Sequence, residues 1–540
     1  MIKTISIYLL SLFLLFTIKI NAQNGIEWNT CFGSATTIGS HKDACKTPDG
    51  GYIMVGLASS ADTIFWPYQM GDGDFGVIRI DSVGNLMWKK TIGGDKLDRA
   101  SCVIKGIRDN RYYIAGVSRS EGSTNYHAPS TNGDAWLVAI DSDGFVQWER
   151  CYGGYEGEEF NSLIQLGDSN QIYGIGITGS QNDGDVTGNY YGGGNTGWIC
   201  KINANTGMLL QQKCYGGTRT DNLFNSTKLN NNSFLVQGNV ESNNHDVWNF
   251  YGTVGVVGNG WLLNIDTSLN IVWQKTIGSS GGGRINDVIK TQDGGIAVYG
   301  ETLNIQGDTS CFNFYVGTTT SGQRKSEAFI IKYDSLGNEL WQQHYLAPLD
   351  PVQIEGRFVQ MQDKGFVFST NISKWNGFAM WPYSYGNVLF RTNSIGDLLS
   401  TSRYGNGNGG VILVSNMFTT WDNKLVVVSK GSVACSSFNG VGWSVFQIGH
   451  QLSIKDKEEV GSFITVYPNP STGVFNIEFE NTTKINQIII YSTLGQIVKY
   501  ISINKTLSNY RIDLKGNTKG LYIIGIETDN GIVFKKMILE

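Results

Sequence analysis

The feature that most constrains this chain is an internal repeat. Phe75-Gly-Val-Ile-Arg-Ile-Asp81-Ser-Val-Gly84-Asn-Leu-Met-Trp88, closed by Gly93-Gly94, returns as Ala135-Trp-Leu-Val-Ala-Ile-Asp141-Ser-Asp-Gly144-Phe-Val-Gln-Trp148, closed by Gly153-Gly154. Every position is displaced by 60 residues. Looser copies follow: Trp198 to Gly217 with Gln211 in place of Trp, Trp261 to Gly278 with Trp273, Phe329 to Tyr345 with Trp341, and Asn387 to Gly405 with Ser400 in place of Trp. Trp443 to Ile448 is a final partial copy. A second motif precedes each of these, as in Asp49-Gly-Gly-Tyr-Ile-Met-Val-Gly56, Asp109-Asn-Arg-Tyr-Tyr-Ile-Ala-Gly116 and Asp293-Gly-Gly-Ile-Ala-Val-Tyr-Gly300.

Seven copies of each motif give units of four strand-like runs joined by Gly-containing turns, where glycine supplies positive φ without Cβ strain. Short antiparallel strands at this period are the signature of propeller blades. The fold class is therefore all-β: a β-propeller of about seven four-stranded blades, with six or eight as alternatives and a β-solenoid as the runner-up. Composition agrees. There are 69 glycines in 540 residues, against an average usage of about 7%, aromatics reach 12%, and charged residues are 16%. The first Trp run, Ile26-Glu-Trp28, precedes any other strand, and the last unit lacks its Trp strand. The N-terminal strand can thus complete the final blade and hide edges that would template aggregation.

The Asp-x-x-Gly-x-x-x-Trp pattern resembles the tryptophan-docking motif of quinoprotein propellers, which implies that Trp88, Trp148, Trp273 and Trp341 pack between blades. No vicinal Cys pair accompanies it, which argues against a quinone cofactor.

The two ends of the chain speak about export. Lys3 and the apolar run Ile5 to Ile18 form a signal peptide pattern over residues 1–22, too short to span a bilayer as a helix. The propeller is expected over 23–454 and a charged linker over 455–463. Residues 464–540 carry Val466-Tyr467-Pro468-Asn469-Pro470-Ser-Thr-Gly473, Leu494-Gly495, Gly520-Leu521-Tyr522 and Lys535-Lys536 in that order. This ensemble resembles the type A C-terminal sorting domain of the type IX secretion system of Bacteroidetes. The resemblance implies a small Ig-like β-sandwich, handling by the secretion machinery, and a secreted or outer-membrane cell-surface destination.

Eight cysteines in an exported chain permit disulfides whose connectivity the spacing leaves open. The net charge of −5 excludes a basic nucleic-acid footprint, and no later run is apolar and long enough to be a membrane helix.

In this strand order the tight turns fall at one end of each blade, and the long second-to-third and inter-blade connections fall at the other. The long loops define a candidate face. Trp66, Tyr68, Tyr190, Tyr191, Trp248, Tyr251, Tyr315, Trp381 and Tyr383 lie in these loops, and rings flanked by Asn and Asp suit sugars. The alternative is that such rings pin the loops to the blades. Asp72, Asp74, Asp183 and Asp185 are closely spaced with Gly and make calcium a candidate ligand, or form simple Asx turns. Five His without an HExxH pattern and no GxSxG elbow leave catalysis little footing. The acidic group Glu156, Glu158 and Glu159 is the one enzymatic candidate, for polysaccharide cleavage. The expected role is a binding or adhesion module for glycan or protein, with a polysaccharide-active enzyme and a structural scaffold as alternatives.

Overall fold

The computed structural model describes residues 26–32, 41–58, 65, 71–129, 131–167, 170–189, 194–251, 258–279, 281–303, 326–345, 356–374, 383–404, 412–431, 443–449, 464–492, 497–528 and 531–540. The signal peptide pattern and the linker lie outside them.

Seven four-stranded antiparallel sheets follow one another along the chain. Blade I runs from β2 (His41–Lys46) to β5 (Leu86–Ile92), and blade II from β6 (Asp98–Lys105) to β9 (Val146–Tyr152). Blade III runs from β10 (Glu158–Gln165) to β13 (Leu209–Tyr215), and blade IV from β14 (Asp221–Lys228) to β17 (Ile271–Ile277). Blade V runs from β18 (Gly283–Lys290) to β21 (Glu339–Tyr345), and blade VI from β22 (Phe358–Gln360) to β25 (Leu398–Tyr404). Blade VII has β26 (Ile412–Thr419), β27 (Leu425–Gly431) and β28 (Trp443–Ile448), and its fourth strand is β1 (Ile26–Phe32), antiparallel to β28. The ring is therefore closed by the two ends of the propeller segment.

A β-bulge organises the innermost strand of blades I to V and of blade VII. It explains the glycine that ends the second motif. A methyl at Gly116, Gly176, Gly238 or Gly300 would run into the carbonyl of Arg99, Glu159, Asn222 or Arg284, which the bulge pushes across. The bulge also turns polar side chains toward the neighbouring blade. Every boundary of the ring carries such a bond. Val103 N–H donates to Asp43 at 3.0 Å, Ser101 Oγ to Glu159 at 2.6 Å, and Asn161 Nδ2 to the Leu223 carbonyl at 2.8 Å. Asn225 Nδ2 donates to Asp287 at 3.0 Å and Phe358 N–H to the same carboxylate at 3.2 Å. Arg357 Nε donates to the Ser415 carbonyl at 3.0 Å, and Asn416 Nδ2 to Asp43 at 2.7 Å, which closes the circle.

The outer strands are joined by tryptophan. Each docking indole lies on the glycine of the next blade's third-to-fourth turn. A methyl at Gly84 would sit 2.7 Å from Trp28, one at Gly144 2.9 Å from Trp88, and one at Gly207 2.8 Å from Trp148. The corresponding figures are 3.2 Å for Gly337 against Trp273 and 2.8 Å for Gly396 against Trp341. Trp88 and Trp148 also donate their N–H to turn carbonyls, Ser142 and Ala204. The two blades without the tryptophan face boundaries without the glycine. Opposite Gln211 the turn holds Leu269, fully buried at φ 63°, and Gln211 keeps the hydrogen bond to the Ser268 carbonyl. Opposite Ser400, blade VII gets its fourth strand from β1, so no covalent turn joins it to β28.

The C-terminal unit is a five-stranded sheet bent around its own core. β29 (Ile464–Tyr467), β30 (Val474–Ser492), β32 (Gly520–Thr528) and β33 (Gly531–Leu539) form the path, and β31 (Ile497–Asp513) pairs with β30. β30 and β31 are long enough to run through both halves, with an irregularity between Glu478 and Thr483. Phe475, Ile477, Ile488, Ile524 and Met537 are fully buried in one apolar cluster.

The docking rule predicts a coupled pair. Leu269→Gly alone should cost about 2–5 kcal/mol, as a buried leucine removed does. Gln211→Trp alone should also destabilise, because Leu269 occupies the indole's place. The double variant should recover about 0.5–3 kcal/mol relative to the sum. Chemical denaturation of the four proteins measures this, and strict additivity would contradict it.

Candidate functional site

The long loops share one end of the ring and are hydrogen-bonded to one another there. Asp185 N–H donates to the Gly153 carbonyl at 2.8 Å, and Gly179 N–H to the Gly157 carbonyl at 2.9 Å. The Gly-Gly signature belongs to this face. The N–H groups of Gly94, Gly154 and Gly217 donate to Asp98, Glu158 and Asp221, each the first residue of its blade, at 2.7, 3.0 and 2.6 Å. Ser120 and Ser242 donate their hydroxyls to Asp98 and Asp221, and Ser180 donates its N–H to Glu158. Asp134, which opens the third strand of blade II, accepts the N–H groups of His127 and Ala128 and so ties down its loop.

These bonds decide the fate of the acidic candidates. Glu158 is 2% exposed and fully engaged. Glu159 points the other way along the strand and pairs with Arg99 of blade II at 2.6 Å. Glu156 stays at the surface, where Asn132 Nδ2 approaches it at 3.3 Å. The three neighbouring glutamates thus serve three different environments. Asp183 receives the N–H groups of Tyr155 at 2.5 Å and Gln181 at 3.2 Å, and Asp185 receives Asn125 Nδ2 at 3.2 Å. Asp72 is exposed, while Asp74 is buried beside it. Among the described residues no three His, Cys, Asp or Glu side chains gather as a metal would require.

The aromatic candidates divide. Trp66, Tyr68, Tyr190, Tyr191, Tyr315 and Trp381 lie outside the described residues, and of Tyr383 only the strand position is described. Trp248 is held by its backbone, with its N–H on Gln274 at 3.4 Å and its carbonyl taking the Thr276 hydroxyl at 3.1 Å. Its ring is 62% exposed. Tyr251 is half-buried, its N–H bound by Asn259 at 2.9 Å, and Phe250 packs onto the core of blade IV. Phe65 is buried against Trp443, so this ring pins its loop. Tyr155, which the sequence reading passed over, is 66% exposed on the same face. It sits directly after a Gly-Gly pair, a position the repeat itself marks.

Trp136, Trp198 and Trp261 form a further set that the repeat carries inside the blades. Each lies across from the glycine that ends the second motif and donates its N–H to a fourth-strand side chain, Glu149, Gln212 or Gln274. The described thiols Cys45, Cys102, Cys151, Cys200 and Cys214 are free, and burial pushes all five up, whereas Cys31 is disulfide-bonded.

At the C-terminus, chain segments about 70 residues apart meet. Asn469 donates to the Lys536 carbonyl at 2.7 Å and accepts the Ile538 N–H at 2.8 Å. Ser471 N–H donates to the Ile538 carbonyl at 2.9 Å. Tyr467 and Lys536 stay exposed beside this junction, Lys535 is half-exposed, and the Tyr522 hydroxyl donates to Thr518. Gly473 and Gly520 adopt positive φ, Leu521 is partly exposed, and Leu494 and Gly495 lie outside the described residues.

Fold and tail together define an exported repeat β-propeller with a sorting appendage. Residues 465–540 match the secretion system C-terminal sorting domain. The tail marks the chain for type IX secretion and for a secreted or cell-surface destination, and no helix among the described residues is long and apolar enough to cross a membrane. A 124-residue stretch is 28% identical to beta-agarase A of Zobellia galactanivorans, covering 23% of this chain and 19% of that protein. Among solved structures, a partial likeness is found to the extracellular domain of a one-component system from B. thetaiotaomicron, at 10% identity and TM-score 0.36 over 95% of this chain and 58% of that one. Another is to Kuenenia stuttgartiensis hydrazine synthase, at 11% identity and TM-score 0.39 over 79% and 98%. At these scores they carry no argument.

Two predictions follow from the electrostatics of the ring. Burial raises the pKa of Asp43, Asp134, Glu158, Asp221 and Asp287. Their contribution is fully present below the ordinary values of 3.8 and 4.5, and it is lost as pH rises through the higher folded values. Asp293 goes the other way. Despite some desolvation, bonds from Thr291, Gly295 N–H and Lys332 lower it to about 2, so its contribution is lost only in stronger acid. The melting temperature should therefore rise as pH falls from 7 toward about 4 and drop below that. A monotonic fall from pH 7, read by calorimetry, would contradict the assignment. Separately, melting in excess calcium and in EDTA should coincide if Asp183 and Asp185 act as loop caps. A rise in calcium would make them ligands.

Proposed function

We propose that the propeller is a non-catalytic binding module that works outside the cell, contacting a glycan or protein through the long-loop face. The observation that carries this reading is Trp248, whose backbone is fixed at both N–H and carbonyl while its ring is 62% exposed. A rigid, exposed aromatic loses little entropy on contact, which is what a binding anchor needs. Tyr155 offers a second ring on the same face. The partial likeness to beta-agarase A puts carbohydrates first among the ligands to test.

The enzymatic alternative has weaker support, because Glu158 and Glu159 are consumed by hydrogen bonds and an ion pair within and between blades. A scaffold role remains the reading if no ligand is found.

A glycan array with the full chain, followed by calorimetry on the best binder, tests the proposal. Trp248→Ala should weaken binding roughly tenfold or more, as loss of a central aromatic anchor does, with an unchanged melting temperature. Undiminished affinity would remove Trp248 from the site. Hydrolysis of the glycan by the wild type would replace the binding reading with the enzymatic one.

A further inference from the structure

The repeat places a set of cations at the opposite end of the ring, where the tight turns lie. The residue that closes the innermost strand pairs in every blade with the first apolar residue of the second strand. In blades I to VII this residue is Lys46, Lys105, Gln165, Lys228, Lys290, Gln360 and Thr419. Four lysines thus stand at one height around the channel mouth of a protein whose net charge is −5.

None of the four has an ion-pair partner among the described residues. Lys46 Nζ donates to the Thr419 carbonyl at 2.5 Å, and Lys105 Nζ to the Gly106 carbonyl at 3.1 Å and to the Asp109 carbonyl. Both acceptors are neutral. Elsewhere on this face Arg79 is paired with Asp49 at 2.7 Å and Lys332 with Asp293 at 3.1 Å, while Lys201 donates to the Thr267 carbonyl at 2.9 Å. The repeat-related carboxylates near them are already engaged: Asp43 and Asp287, three residues deeper in their strands, by the inter-blade bonds, and Asp49, Asp109 and Asp293, in the turns that follow Lys46, Lys105 and Lys290, by Arg79, Arg111 and Lys332. Like charges gathered without counter-charges repel one another, and an anion relieves that repulsion.

The mouth also has room. A cavity of about 500 Å³ opens where blades V, VI, VII and I meet, lined by Lys46 and Lys290 together with Gln360, Thr419, Met417 and Phe418. It forms where the shorter side chains Gln360 and Thr419 stand between the two lysines. Its size falls within the range of small-ligand sites, about 300–1,000 Å³. Lysine ammonium groups suit compact anions, the Thr419 hydroxyl suits a sugar hydroxyl, and the Gln360 amide, held by the Gln292 N–H and the Lys364 carbonyl, keeps one N–H for another.

We propose that this channel mouth binds an acidic saccharide, one bearing carboxylate or sulfate groups. The site is separate from the aromatic loops, so it stands or falls independently of the function proposed above.

The test uses the full chain and three oligosaccharides of equal length: uronate-containing, sulfated and neutral. At least one acidic oligosaccharide should bind at low salt, weaken at high salt, and outbind the neutral one; the acidic arm that binds identifies the anion. Lys46→Gln with Lys290→Gln should weaken that binding at least tenfold, while Lys96→Gln on the long-loop face leaves it unchanged. If the double variant melts below the wild type, Lys290→Gln alone carries the test, since its side chain makes no hydrogen bond among the described residues. Equal affinity for the neutral sugar, no binding of either acidic oligosaccharide, or binding unaffected by the lysine substitutions would overturn the proposal.

Discussion

The ring depends on the close approach of a tryptophan in one blade to a glycine in the next. Neither residue acts alone. The indole supplies apolar area and, at Trp88 and Trp148, an N–H for a turn carbonyl; the glycine supplies the space and a positive φ, 78° at Gly144. Where the turn carries Leu269, the tryptophan is replaced by Gln211, and where no covalent turn exists, by Ser400. Gln211 and Leu269, about 60 residues apart, thus depart from the pattern together, as expected if the contact is the repeat's own constraint.

The bulge on the innermost strand does the corresponding work at the axis. In blades II to V it presses on a glycine across from it, a place that Ser429 takes in blade VII, and it aims polar side chains at the next blade. Burial makes several of these carboxylates costly to ionise, and their hydrogen bonds offset that cost. Inner and outer strands thus use different physics, hydrogen bonding inside and aromatic packing outside, to fix the same angular step between blades.

Much of this was legible in the sequence, because a repeat reports each structural need several times. The seven units, the docking tryptophans and the sorting tail could be read from motif spacing, and the order of tight and long connections gave the two faces. Less could be read about which copies were structural. Glu156, Glu158 and Glu159 look alike in sequence, yet strand alternation sends Glu158 into the loop junction and Glu159 across a blade boundary. Phe65 and Trp248 both look like loop aromatics, but one is buried and the other exposed. The lysine ring escaped notice because its members are single residues set about 60 apart, and only the closed ring brings them to one mouth.

Closure itself is the claim on which the rest stands, since the docking of Trp28 on Gly84 and the last inter-blade bonds exist only in a closed ring. Native-state hydrogen exchange of the full chain tests it most directly. The strand Trp443–Ile448 is paired on both sides, with Leu425–Gly431 and with Ile26–Phe32. Its amides should exchange as slowly as those of the doubly paired strand Asn259–Asp266 in blade IV. Rapid exchange over Trp443–Ile448 with protection retained in blade IV would contradict a ring sealed by its N-terminal strand.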